Sequence, residues 1–191
     1  MNIPTTLTVM RIFLIPVLVV VFYLPFAWVP IACTAIFAFA ALTDWADGYL
    51  ARRLSQVSTL GAFLDPVADK LMVAVTLVLL LHRDPALWLA IPAAIIISRE
   101  IVVSALRELM AELGQRATVA VAALGKIKTV SQMVALSLML YRQDLGPIPM
   151  YWVGIVLLYL ATVLTIWSMM IYLRVAWPTM TAKGSGGGRS T

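Results

Sequence analysis

Cysteine and histidine each occur once in this 191-residue chain, and Asp, Glu, Lys and Arg together make up only 12% of it. A single thiol, Cys33, can build neither a disulfide framework nor a cysteine metal site within one chain; lying in an apolar run, it reads as lipid-facing or core. Soluble globular chains are about 25% charged and roughly 45–50% apolar, so the low charge combined with 62% hydrophobic residues excludes a soluble domain. The same figures exclude a disordered chain, a coiled coil and a nucleic-acid-binding domain, and no nucleic-acid partner is expected despite a net charge of +5. What remains is an all-α integral membrane protein with lipid as its main solvent.

Six apolar stretches approach the roughly 20 residues that a helix needs to cross a bilayer: 7–24, 29–50, 60–81, 86–106, 117–141 and 151–175. Breakers such as Pro25, Pro30, Pro85 and Pro149 mark short connections, and no internal repeat of the transporter kind is visible. The expectation is a six-transmembrane-helix bundle forming a single domain over 1–176, followed by a flexible Gly/Ser-rich tail over 177–191. The first apolar run leads straight into further spans without a basic leader, so it is not read as a cleaved signal peptide. Basic residues near spans stay in the cytoplasm, and they divide unevenly here. Arg52, Arg53, Arg107, Arg116, Arg174, Lys183 and Arg189 fall on one side, against Arg83 and Arg142 on the other. Both termini are therefore expected in the cytoplasm. Trp28, Trp88, Tyr141, Tyr151 and Trp152 fall at the opposite interface as an aromatic belt, where His82, beside Arg83 and Asp84, is remote from any cytoplasmic chemistry.

Ionisable residues inside spans are costly and by default mark function. Asp44 and Asp47 come just before the cytoplasmic end of the second stretch, and Asp65, Asp69 and Lys70 just after the start of the third. Arg99 and Glu100, then Lys126 and Lys128, occupy a similar depth in the fourth and fifth, with Arg11 near the start of the first. Five spans thus bring charge to one plane, which describes a polar cavity open to the cytoplasm.

On a helix, Asp44, Asp47, Gly48 and Ala51 share one face, with Arg52 at its edge; Gly61, Asp65 and Asp69 share a face of the next. A short connection makes these two helices antiparallel neighbours, so four carboxylates converge. In a low-dielectric site they repel one another unless a cation binds them. An all-oxygen donor set suits Mg²⁺ or Mn²⁺, and two such ions balance four Asp charges while leaving positions open for phosphate oxygens. Gly48, Ala51 and Gly61 add no bulk on these faces, so a ligand can approach the backbone closely.

The run D-x2-D-G-x2-A-R-x8-G-x3-D-x3-D from Asp44 to Asp69 matches the signature of the CDP-alcohol phosphatidyltransferases, and the chain resembles that family. The resemblance implies six transmembrane helices around a cytoplasm-facing cavity, a homodimer, and divalent metal on the signature aspartates. Carried onto this chain, it implies that Asp44, Asp47 and Asp65 hold metal, with Asp69 beside it as general base. It also implies that Gly48, Ala51, Arg52 and Gly61, with Asp44 and Asp47, shape and contact the CDP moiety. The opening Asn2 to Arg11, which adds Thr8 and Arg11 to that set, is similar to bacterial members whose acceptor is sn-glycerol 3-phosphate. So are the blocks Ser98 to Glu108 and Gly125 to Met133. This similarity implies CDP-diacylglycerol as donor, membrane lipids as surroundings, and a bacterial inner-membrane location.

Such an acceptor carries a phosphate, for which Arg99, Lys126 and Lys128 stand at a suitable depth, with Arg107 behind them. The alternative for Lys126 and Lys128 is snorkelling to lipid phosphates, and for Arg107 and Arg116 a solvated loop. Serine, inositol phosphate or phosphatidylglycerol remain as other acceptors within the family, and a divalent-cation transporter as a different class. The expected reaction has the acceptor hydroxyl attack the phosphorus bearing the diacylglycerol oxygen, in line with departure of CMP.

Overall fold

The computed structural model describes residues 3–54, 59–112 and 120–184. Six α-helices follow one another: α1 (Ile3–Phe22), α2 (Val29–Leu54), α3 (Thr59–Arg83), α4 (Leu87–Glu112), α5 (Ala120–Tyr141) and α6 (Met150–Gly184). No strand occurs among the described residues, only an isolated bridge between Leu145 and Ile148 in the α5–α6 turn. Arg142 closes α5 with a φ of 53°, the left-handed conformation common just past a helix end, and Gly146 turns the loop with a φ of 63°.

Three helices contain a stretch long and apolar enough to cross a membrane on those grounds alone: Thr5–Phe22, Leu87–Leu106 and Met150–Ile171. In α2 and α5 the apolar stretch is shorter, Val29–Asp44 and Ile127–Tyr141, because charged residues interrupt the remainder. Helices α2, α4 and α6 also run past the apolar boundaries at 50, 106 and 175, and α6 enters the first eight positions of the expected tail. Hydropathy reports the solvent around a helix, whereas the helix itself ends where its backbone hydrogen bonds do.

On five of the helices the buried residues recur at three- and four-residue spacing and change character along the length. On α1, Thr5, Thr8 and Arg11 give way to Leu18 and Phe22; on α2, Val29, Cys33, Phe37 and Ala40 lead to Thr43. On α4, Leu89, Ala93 and Ile96 precede Arg99; on α5, Lys128 and Gln132 precede Ala135, Leu136 and Met139; on α6, Ile155 and Leu158 precede Thr165 and Ser168. Successive helices reverse direction, so the apolar halves gather at one end of the bundle and the polar halves at the other. Several buried hydroxyls find partners within their own helices, Thr43 donating to the Ala40 carbonyl and Thr76 to that of Met72, both at 2.8 Å.

Helix α1 packs against α2 and α3, α2 against α5, α5 against α6, α6 against α4 and α4 against α3, which closes a ring. Its tightest seam joins α5 to α6, where a Cβ on Gly154 would lie 2.9 Å from the Ala135 carbonyl oxygen and 2.6 Å from Met139 Cγ. At the apolar end, Tyr151 donates to Asp84, Arg83 lies 5.5 Å over the Phe22 ring, and Trp88 and Trp152 approach to 6.4 Å. The turns there are pinned by side chains with one polar end and one apolar end.

Candidate functional site

Two side-chain clusters occupy the polar half. The first is acidic: carboxylate oxygens of Asp44 on α2 and of Asp65 and Asp69 on α3 all lie within 4.8 Å of one another. The i, i+4 spacing puts both α3 residues on one face, and Pro66 sits early enough in α3 that its missing N–H disturbs only the first turns. At the focus of the three is Arg11 from α1, whose Nη1 donates to Asp44 Oδ1 at 3.2 Å, to Asp65 Oδ1 at 3.2 Å and to Asp69 Oδ1 at 2.5 Å. Arg11 is buried, its side chain 1% exposed, whereas the three carboxylates are 30%, 42% and 33% exposed.

The sequence makes α2 and α3 neighbours through their short connection. Among the described residues they touch little, and each packs far more on α1. The carboxylates therefore meet through an arginine from a third helix. Among the described residues the cluster sets three carboxyl groups against one guanidinium, an acidic excess that a divalent cation would balance. The donors are all oxygen, with neither histidine nor cysteine beside them, which is the chemistry of Mg²⁺ or Mn²⁺.

The second cluster is basic and joins α4, α5 and α6. Glu100 Oε1 accepts from Arg99 Nη1 at 3.1 Å and from Lys128 Nζ, while Arg99 Nη2 donates to Ser168 Oγ at 2.7 Å. Ser168 in turn donates to the Thr165 carbonyl at 3.0 Å. Arg99 and Lys128 are buried, as is Gln132 one turn after Lys128.

Of the sequence-derived site residues, the structure brings together Arg11, Asp44, Asp65 and Asp69, and separately Arg99 and Lys128. Thr8 is buried one turn before Arg11 on the same face of α1, and Gly61 lies one turn before Asp65 on α3. Asp47, Gly48, Ala51, Arg52, Arg107 and Lys126 lie outside the residues whose side chains are described. Two participants have no role in the sequence reading. Glu100 is visible there as an intramembrane charge, while Ser168 is one of many hydroxyls in an apolar helix and carries no signal at all.

A bundle of apolar helices with an all-oxygen acidic cluster in its polar half is the architecture of a membrane protein with a group of side chains that could take a metal ion. The chain belongs to the CDP-alcohol phosphatidyltransferase family, whose model matches residues 1–167. Members of this family are metal-dependent, and the Asp44–Asp65–Asp69 cluster is the group that could take the ion. Among proteins similar to it is the CDP-diacylglycerol–glycerol-3-phosphate 3-phosphatidyltransferase of Salmonella choleraesuis, 56% identical over 178 residues, covering 92% of this chain and 94% of that one. The protein of the same name from Yersinia pestis is 54% identical over 177 residues, covering 93% and 96%. That from Salmonella typhi is 55% identical over 178 residues.

Proposed function

We propose that this protein transfers the phosphatidyl group of CDP-diacylglycerol to sn-glycerol 3-phosphate, giving phosphatidylglycerophosphate and CMP. The observation that carries the reading is the meeting of Asp44, Asp65 and Asp69 within 4.8 Å on the helices that bear the signature run. The relatives' shared name supplies the acceptor.

Asp44, Asp47, Asp65 and Asp69 would hold two Mg²⁺ or Mn²⁺ ions, and the chemistry these would supply when bound is neutralisation and polarisation of the donor's diphosphate. Thr8, Arg11, Gly48, Ala51, Arg52 and Gly61, with Asp44 and Asp47, line the place of the CDP moiety. Arg99 and Lys128, with Lys126 and Arg107 nearby in sequence, receive the acceptor phosphate. The acceptor hydroxyl oxygen forms the new bond to the phosphorus carrying diacylglycerol, the bond from that phosphorus to CMP breaks, and Asp69 takes the hydroxyl proton. A carboxylate crowded by cations is a weak base, so alignment and charge neutralisation contribute more than basicity does.

Around this centre we read a single domain over 1–176 and a tail over 177–191. Six membrane crossings, both termini and the open side of the cavity in the cytoplasm, a bacterial inner-membrane location and a homodimer complete the proposal. Its test is CMP release by purified protein given CDP-diacylglycerol and Mg²⁺ with glycerol 3-phosphate, serine, inositol phosphate or phosphatidylglycerol in parallel. Product from glycerol 3-phosphate alone is expected. Turnover with another acceptor instead, or metal flux into liposomes without CMP release, overturns the assignment.

A further inference from the structure

In the Arg99–Glu100–Lys128 cluster the cations are the hidden members. The Arg99 and Lys128 side chains are 9% and 5% exposed, against 25% for Glu100. A single carboxylate oxygen, Glu100 Oε1, accepts from both cations. A carboxylate exposed to hydrocarbon would be costly, so the open side of Glu100 faces water. Of the three charged groups, Glu100 is therefore the one most accessible from that water.

The charges show why such a cover is useful. Two buried cations held together with no anion between them repel and attract any ambient anion. A tethered carboxylate has a high effective concentration at the pair and excludes weak monoanions. Glu100 supplies one carboxylate against the two cations it joins. A phosphate monoester brings two charges and three oxygens, and can displace a single carboxylate where a monoanion cannot. Ser168 accepts from Nη2, the terminal nitrogen that Glu100 does not use, so Arg99 keeps a partner when Glu100 leaves. One turn earlier on α6, Thr165 Oγ1 is fully buried and has no hydrogen-bond partner among the described residues, a spare polar group beside the cluster.

We propose that Glu100 is a specificity-determining residue, a tethered competitor anion that occupies Arg99 and Lys128 until the phosphate monoester of the acceptor displaces it. This rests on the proposed function for the identity of that acceptor and for the assignment of its phosphate to Arg99 and Lys128, while the competition itself is a binding equilibrium.

The test measures binding of inorganic phosphate and of glycerol 3-phosphate to the purified full-length protein in phosphate-free detergent, by calorimetry and thermal shift. Glu100→Gln is expected to bind both roughly tenfold or more tightly than the parent, the size of a lost charged hydrogen bond. The Michaelis constant for glycerol 3-phosphate falls while that for CDP-diacylglycerol stays put, and sulfate becomes a stronger inhibitor. Glu100→Asp, which keeps the charge on a shorter arm, shows an intermediate gain and serves if the Gln variant does not fold. Adding Lys128→Gln abolishes the gain. Phosphatidylglycerol, a lipid phosphodiester with one charge, is expected not to compete.

Phosphate affinity that is unchanged or weaker in both Glu100 variants overturns the proposal, as does equal competition by the lipid diester. Parallel assays of CMP release separate the two readings. If the parent makes no product from glycerol 3-phosphate, the reaction is wrong while the phosphate measurements still judge Glu100. If it does and neither variant tightens, only the role of Glu100 falls.

Discussion

Arg11 and Asp69 show how much hangs on single side chains where charges from three helices meet. Arg11 is the internal counter-ion of three carboxylates, and Arg11→Gln leaves them facing one another. The carboxylates are about a third exposed, so the expected loss of stability is about 1–3 kcal/mol, below that of a fully buried pair. Thermal unfolding in EDTA should show it, and Mn²⁺ should recover more of the midpoint in the variant than in the parent. Equal metal shifts in both would mean that Arg11 does not share the carboxylates with the ion. For Asp69→Asn, CMP release is expected to drop about 10²- to 10⁴-fold while CDP-diacylglycerol binding is largely retained. Turnover near the parental rate would remove Asp69 from the proton transfer.

Helices carry the next layer of information, and here the pattern of spacing was informative in part. The i, i+4 step from Asp65 to Asp69 and the charged interruptions of α2, α3 and α5 were legible, because a helix repeats every 3.6 residues whatever surrounds it. Which helix stands beside which was not legible. Outward faces in lipid are as apolar as inward ones, so periodicity marks no neighbour. The seam between α5 and α6 depends on Gly154, whose identity drew no notice in an apolar run. Gly154→Ala is expected to cost about 1–3 kcal/mol, read as a lowered unfolding midpoint in detergent, because the Ala135 carbonyl at 2.9 Å is backbone and cannot swing away. Met139→Ala should restore only part of that loss, since it relieves the 2.6 Å contact and leaves the carbonyl. Complete restoration would show that the flexible side chain, not the backbone, limits the approach.

For the whole molecule, orientation and metal dependence are the properties to measure. In a Cys33→Ser background, a cysteine at Asp144 in the α5–α6 turn should react with an impermeant thiol reagent in intact cells, and one at Ser190 only after permeabilisation. The reverse pattern would invert the cavity. Chelation should abolish CMP release, and Mg²⁺ or Mn²⁺ should restore it; activity that survives exhaustive chelation would break the link between the acidic cluster and the reaction.

Composition settled the solvent of this chain, because low charge and a large apolar excess leave lipid as the only medium that tolerates them. The gapped run from Asp44 to Asp69 carried the likeness to the family to which the chain belongs, and carboxylates at helical spacing inside a span attract a cation wherever the span sits. Packing alone decided that α1 rather than the α2–α3 contact gathers those carboxylates, and that Glu100 joins Arg99 to Lys128. Such meetings join residues up to 69 positions apart, and no local rule of spacing reaches across a ring of six helices.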